Sequence, residues 1–456
     1  MRAPPTLKEF RLETIADGIG HLIFDMPGRS MNVFSNAAIH ESEAIADWLP
    51  SSGLSGLLIS SGKTTAFCAG ADLGELAEAY AMIVAAPEQQ RSQVAREHFA
   101  PIGRAFRKLE TAGVPIAVAI HGLALGGGCE FAMAGHYRVM TNNANTALGL
   151  PESLVGLFPG AGGTQRMPRL VGIDAAWPIL LDGARLSAAQ AVQAGAADLV
   201  VPVGEEIKAA LAWLQSAPEP VQPWDRLNWR QPDAAEIQRK VTALRATRMA
   251  DTRGHYPAIT AILDCVEHGL LAVMDQAVSI EIDIFAELIK RPEPRDMIRT
   301  LFLGKQTYAK QQKTGTLPPA FAPLFKDVAD ALAAVAAAAG REQAEQHRIA
   351  AGFTRPLPQH GSATALPQAA LPEVKGIAAT GLWVEAPTTD WQRTGARLLA
   401  AAAIAAAPYR TGLSLADQQA ADFAIVSDLG FPAYLGGPFA LLDSVGSAGI
   451  TKMAAA

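Results

Sequence analysis

Ile116-Ala-Val-Ala-Ile-His-Gly-Leu-Ala-Leu-Gly-Gly-Gly-Cys-Glu-Phe-Ala-Met-Ala134 runs from a short apolar strand pattern through a glycine triplet into a helical pattern. Gly126–Gly128 lets the backbone turn sharply and leaves amide N–H groups uncovered by any Cβ. A helix opening at that triplet would hold those amides at its positive end. Strand, glycine turn and helix in succession form the unit of an α/β domain.

The same alternation extends outward. Gly20–Phe24 and Leu54–Ser60 are apolar runs closed by turn residues and predict buried strands, with helical patterns over Ala37–Leu49 and Ile102–Leu109. Asp198–Val203 is the last strand-like run. From about Glu205 the pattern is helical, broken by Pro-rich connections. Gln231–Arg253 predicts a surface helix. Tyr256–Leu288 predicts a longer apolar one, with Ile259, Ile262, Leu263 and Val266 at helical spacing. Lys305–Pro319 is polar and marks a boundary. Residues 354–372, rich in Pro with Gly, Ser and Thr, predict a flexible linker. Residues 385–452 are Ala-rich and helical, and no repeat of 20–50 residues occurs. The expected architecture is an α/β domain followed by an all-α C-terminal region.

Bulk composition sets limits on function. A chain of 456 residues predicts two or three domains. Half hydrophobic and 18% charged, it reads as globular and soluble. A net charge of −6 argues against nucleic acid as a partner. Cys68, Cys129 and Cys265 are too far apart for a zinc site and suit a reducing compartment. Met1–Phe10 lacks the apolar run of a signal peptide, and the stretches Ala331–Ala339 and Leu398–Ala407 are too short to cross a bilayer. These features predict a cytoplasmic protein with no membrane span and no bound metal.

Three segments carry candidate chemistry: Thr65–Asp72, His121–Glu130, and Gly149–Gly156 with its continuation Phe158–Arg166. The Gly126–Gly128 amides, with a second N–H from the Ala69-Gly70-Ala71 turn, would make an oxyanion hole for a carbonyl oxygen that gains charge. Glu130 would stand one turn into the helix. Glu152, after a proline and before Gly156, would approach from a loop. Taken singly, each feature has a plainer reading: a glycine triplet as a tight turn, a Glu near a helix start as a solvated dipole partner. Their joint order points to a site.

In these segments and in LLDGARLSAAQAVQAGAADLVVP (180–202) the chain resembles the crotonase (enoyl-CoA hydratase/isomerase) superfamily, over about residues 10–205. Within it the likeness is to the hydratase half of the bacterial fatty-acid oxidation multienzyme alpha subunit. The resemblance implies a ClpP/crotonase-like spiral domain, oxyanion-hole amides at Ala71 and Gly127, and catalytic glutamates at Glu130 and Glu152. It implies an enoyl-CoA hydratase of fatty-acid β-oxidation, with Ala69, Gly70, Asp72 and Gly126 lining the substrate site and Lys63 as a candidate for the coenzyme A (CoA) phosphates. Isomerases of the superfamily commonly keep one acid/base residue, so two glutamates favour the hydratase. The alternatives are an enoyl-CoA isomerase or a related acyl-CoA reaction, and a weakly catalytic subunit of a thiolase-containing complex. Two departures stand out: His136 where the family commonly has Asp, and about two extra residues around Thr141–Thr146.

Beyond residue 205 the resemblance continues into the helical linker that follows the hydratase half, through Phe302–Tyr308. Asp422–Phe439 resembles the closing helices of 3-hydroxyacyl-CoA dehydrogenase, yet no G-x-G-x-x-G follows residue 300. The expectation is a relative without the NAD-binding domain, requiring no NAD. Its expected domains are 1–205 (hydratase), 206–316 (a helical extension packing on it), 317–372 (helix and linker) and 373–456 (helical tail). Expected partners are the acyl-CoA substrate, and self-association or a thiolase-type protein.

Overall fold

The computed structural model of the chain describes residues 3–359, 371–377 and 381–456. Among the described residues, ten strands lie between Phe10 and Val201. They are β1 (Phe10–Thr14), β2 (Ile19–Phe24), β3 (Gly56–Ser61), β4 (Ala66–Cys68) and β5 (Ile116–Ile120), then β6 (Leu123–Leu125), β7 (Tyr137–Thr141), β8 (Ala147–Gly149), β9 (Arg185–Ser187) and β10 (Leu199–Val201). One sheet has the order β1-β2-β3-β5-β7-β10 and the other β4-β6-β8-β9. Successive strands β3/β4, β5/β6 and β7/β8 therefore alternate between sheets, which makes three turns of a spiral. The step from β5 to β6 turns at Gly122 (φ +64°), where a Cβ would sit 2.2 Å from Thr65 O. Only glycine lets the two layers part so closely.

Helices α1 (Asn36–Trp48), α2 (Leu73–Ala85), α3 (Arg91–Glu110), α4 (Gly127–Ala134), α5 (Gly163–Val171), α6 (Ile173–Asp182), α7 (Ala188–Ala194) and α8 (Glu206–Gln215) complete the α/β part. Its core is aromatic: Phe10 stacks on Phe24 at 4.2 Å, and Phe131 of α4 meets Phe34 and Phe106 at 5.5 and 5.2 Å. Such pairs add about 0.5–1.5 kcal/mol each beyond the area they bury. Phe131 thus seats α4, and the glycines at its start, against the sheets.

Next come α9 (Ala234–Thr252), α10 (Pro257–Gly269) and α11 (Met274–Ile289). The single helix expected over Tyr256–Leu288 is two. Gly269 closes the first, because a Cβ there would lie 2.2 Å from Gln165 Oε1. The break at Leu270–Val273 is pinned from α5, where Arg169 Nη2 donates to Gly269 O (2.9 Å) and Ala272 O (3.0 Å). Tertiary hydrogen bonds to freed carbonyls outweigh local helix propensity here.

The chain divides into two compact units, one of residues 1–246 and 258–290, the other of residues 247–257 and 291–456. The second holds α12 (Pro292–Met297), a π-helical turn Ile298–Gly304, α13 (Lys305–Thr314), α14 (Phe321–Ala338), α15 (Arg341–Ala350), α16 (Asp390–Ala406), α17 (Leu415–Leu429) and α18 (Pro438–Ala455). The Ala-rich stretches form α14 and α16, which pack on each other through Leu324, Val328, Leu332, Leu398 and Leu399. The division therefore falls at Lys290/Arg291, and the boundaries expected at 205 and 316 lie inside the two units. The polar run Lys305–Pro319 is largely α13, which packs on α17 and ends at Gly315. Of the linker expected over 354–372, residues 360–370 lie outside the described residues. Among the described residues no helix is long and apolar enough to cross a membrane.

Candidate active site

Strands β4, β6 and β8 are parallel neighbours, with Cys68 opposite Ala124 and Leu125 opposite Gly149. Their C-terminal ends therefore lie side by side, and Ala69–Asp72, Gly126–Gly128 and Leu150–Glu152 leave the sheet at one edge. Segments separated by about 80 residues in sequence are joined in this way.

At the first strand end, Phe34 N donates to Gly70 O (2.8 Å) and Asp72 N donates to Phe34 O (3.0 Å). This parallel bridge between Phe34 and Ala71 turns the Ala71 N–H away from Phe34. Gly127 is the first residue of α4, so its N–H has no acceptor within the helix. A Cβ on Gly127 would stand 4.0 Å from Gly70 C, which places the two turns against each other. Gly126 makes the approach possible: φ +54°, ψ −129°, its N–H donating to Gly149 O at 2.9 Å. A Cβ there would meet Glu152 Oε1 at 2.6 Å. The second carboxylate is therefore packed directly on the glycine turn.

Glu130, in the first turn of α4, is buried, and its Oε1 accepts the N–H groups of Ala161 and Gly163, both at 2.7 Å. Burial pushes this carboxyl up to about 7, against the pull of those two donors and of Arg166. Glu152 begins a short turn, Glu152–Val155, closed by left-handed Gly156. Its Oε2 is buried and finds no hydrogen-bond partner among the described residues. Desolvation, and then the charge of Glu130, hold Glu152 well above the ordinary carboxylate range. One carboxyl is held by two donors and poised near neutrality, while burial and the charge of its neighbour push the other upward. Such divergent environments divide acid from base roles.

The remaining expected site residues are distributed unevenly. Ala69 N donates to Asn32 O (2.9 Å), and Gly70 adopts φ +108° to form the turn. Asp72 is a helix cap: its Oδ1 accepts from Gly74 N (3.0 Å) and Glu75 N (3.3 Å), and Arg29 lies 2.8 Å from its Oδ2. Lys63 is engaged within the fold. Its Nζ donates to Met26 O (2.6 Å) and pairs with Asp25 (2.8 Å), and only 12% of its side chain is exposed. The ammonium joins the loops after β2 and β3.

His136 is a packing group: Ile116 N donates to its Nδ1 (3.0 Å) and its Nε2 lies 3.1 Å from Glu110 O. Burial pushes its pKa down to about 4, so the ring is neutral. The extra residues around Thr141–Thr146 form a turn closed by Thr141 Oγ1···Thr146 Oγ1 (2.7 Å). Because β8 stays in register with β6, Glu152 keeps its place against Gly126.

Two further residues shape the site. Asn32, fully buried, donates from Nδ2 to Phe24 O (2.7 Å) and Phe67 O (3.2 Å) and accepts Met26 N (3.0 Å), tying β2 to β4 beneath the first turn. Glu281 of α11 accepts Gly162 N (2.5 Å) and Thr164 N (3.0 Å). Its sequence signal is a carboxylate on an otherwise apolar face of Ala277, Val278, Ile282 and Phe285.

The profile of the enoyl-CoA hydratase/isomerase family matches residues 14–223. The chain is 35% identical over 311 residues to a fatty acid oxidation complex subunit alpha of Shewanella baltica, covering 67% of this chain and 42% of that protein. Its counterpart from Shewanella amazonensis is 34% identical over 319 residues, 68% of this chain and 43% of that one. The match thus spans little more than two-fifths of these relatives. Among solved structures, an enoyl-CoA hydratase from Rhodobacter sphaeroides shares the fold, with a TM-score of 0.51 at 21% identity over 66% of this chain and 90% of that chain.

Proposed function

Residues 14–223 belong to the enoyl-CoA hydratase/isomerase family, and on that premise we propose that the chain adds water across the 2,3 double bond of 2-enoyl-CoA thioesters, a step of fatty-acid oxidation. The observation that carries the reading is the pair of carboxyls, Glu130 and Glu152, set beside the outward N–H groups of Ala71 and Gly127. In this reading the two amides bind the thioester oxygen and stabilise the enolate charge that develops on it. Glu130 takes a proton from water as its oxygen bonds to C3. Glu152 gives its proton to C2. One group takes a proton and the other gives one, so the product is the 3-hydroxyacyl thioester and the carboxyl pair ends with its protons exchanged.

Isomerisation moves one proton and needs one acid/base group, so two carboxyls at one site support hydration. No redox change occurs, and the proposal includes no NAD. The test is absorbance of the crotonyl-CoA enone on mixing with the protein, beside a 3-enoyl-CoA control. Loss of the enone with formation of 3-hydroxybutyryl-CoA is the expected result. Conversion of the 3-enoyl thioester alone would replace hydration by isomerisation.

A further inference from the structure

The four amides of residues 161–164 are shared alternately between two carboxylates. Ala161 N and Gly163 N donate to Glu130 Oε1, each at 2.7 Å. Gly162 N donates to Glu281 Oε1 (2.5 Å), and Thr164 N donates to Glu281 Oε2 (3.0 Å), where the Thr164 hydroxyl also binds. One segment at the start of α5 is thus gripped from α4 on one side and from α11 on the other. Arg166 supports it from a third direction, with Nη1 donating to Ala161 O (2.7 Å) and Nε to the buried Glu110 (2.6 Å). Glu281 is fully buried and lies outside the 14–223 stretch that matches the family profile.

A carboxylate in an apolar helix face is costly to bury and is retained only where its oxygens are used. Here each oxygen faces a backbone donor that Glu130 cannot reach. We propose that Glu281 is a positioning residue for Glu130, holding the 161–164 segment so that the Ala161 and Gly163 amides fix the orientation of the catalytic carboxylate. The inference rests on the hydratase reading for its kinetic consequence, but its structural consequence is independent of the reaction.

Among the described residues, Glu281 alone accepts the Gly162 and Thr164 amides, whereas Arg166 holds the segment through the Ala161 carbonyl. Facing Glu281 are Glu130 from α4, Glu152 from the turn after β8, Thr164, Arg166 and Arg169 from α5, and Cys265 from α10. From α3, Arg96 and Arg107 are engaged by Ser279 and Asp275 of α11. Burial and then the charge of Glu130 push Glu281 up to about 8. Two carboxyls so placed titrate as a pair, and near neutrality the ionised state of one opposes that of the other.

The experiment compares the full chain with Glu281→Gln, Glu281→Asp and, as a packing control on the same helix, Ile282→Val. Gln keeps the length but replaces one acceptor oxygen by a donor, and Asp keeps the carboxyl but shortens the arm. Two readouts are taken: the Ala161 and Gly163 amide resonances, and kcat and KM for crotonyl-CoA. Glu281→Gln is expected to shift both resonances and to lower kcat by roughly 10- to 100-fold, the scale of an ångström-sized misplacement. KM should change by no more than about twofold, because the loss falls in the transition state. Glu281→Asp should lie between Gln and wild type, and Ile282→Val should match wild type.

Unmoved Ala161 and Gly163 resonances in Glu281→Gln would overturn the positioning role whatever the reaction. So would a wild-type kcat in that variant of an active hydratase. Shifted resonances in a chain that does not hydrate crotonyl-CoA would retain the positioning role and remove the hydratase reading.

Discussion

At the scale of single residues, Glu130 and Glu152 differ in what surrounds them more than in what they are. Glu130 accepts two amides, whereas Glu152 Oε2 accepts none among the described residues. Changing either to Gln is expected to lower hydration of crotonyl-CoA by roughly 10²–10⁴-fold, the usual scale of lost proton transfer. Turnover in the wild type should rise with pH as Glu130 ionises near 7 and fall at higher pH as Glu152 loses its proton. Stability has its own sign. The Glu152 carboxyl is raised in the fold above its value of 4.5 when solvated, so its protonated form is the one the fold favours. That contribution is complete below about 4.5 and is lost as pH rises through the folded value. Glu152→Gln removes the loss, so its melting temperature relative to wild type should be higher at pH 8 than at pH 5. A difference that stays flat with pH would show that the carboxyl is solvated after all.

At the scale of elements, the site depends on where strands end and how glycine lets them turn. Gly126→Ala puts a Cβ within 2.6 Å of Glu152 Oε1 at a φ of +54°. It is expected to cost about 1–3 kcal/mol in backbone strain and to abolish measurable hydration by displacing Glu152, which thermal melts and the crotonyl-CoA assay would report together. The turn was legible in the sequence because a glycine triplet between strand and helix patterns has local causes. Glu130 and Glu152 were legible through the resemblance those motifs carry. Three-residue strands such as β4 and β8 were not, since so short a run has no periodicity to read. The break between α10 and α11 was hidden for a different reason: Arg169, 100 residues earlier, supplies the hydrogen bonds that open the helix. The pairing of Lys63 with Asp25 and Met26 was hidden, because proximity in sequence to the oxyanion segment does not reveal partners on the loop after β2. Glu281 was missed because its partners lie about 120 residues away.

At the scale of the whole molecule, the covering of the α/β part comes from later in the chain. No dinucleotide-binding glycine motif follows residue 300, so 3-hydroxybutyryl-CoA supplied with NAD should give no NADH signal at 340 nm with the purified chain, and a sustained signal would contradict this reading of the second unit. The first unit extends to Lys290 through α10 and α11, and α11 packs on α3 and α5. Ending the chain after Val203 removes Val278, Ile282 and Phe285 from that packing and Glu281 from the 161–164 segment. An apolar surface uncovered on α3 favours association. The 1–203 fragment is therefore expected to aggregate or self-associate and to lose at least about tenfold in turnover through misplacement of Glu130. A cut at residue 316, where the polar run suggests a boundary, leaves α13 without α17 and α12 without the turn Ala433–Leu435, their partners in the second unit. A cut at Lys290 avoids that exposure, although residues 247–257 then stand without their own unit. Light scattering and crotonyl-CoA turnover should therefore rank the fragments 1–290, then 1–316, then 1–203 in solubility and activity. A soluble, fully active 1–203 fragment would show that the α/β part needs no cover from α10 and α11. A 1–316 fragment better behaved than 1–290 would place the boundary beyond α13.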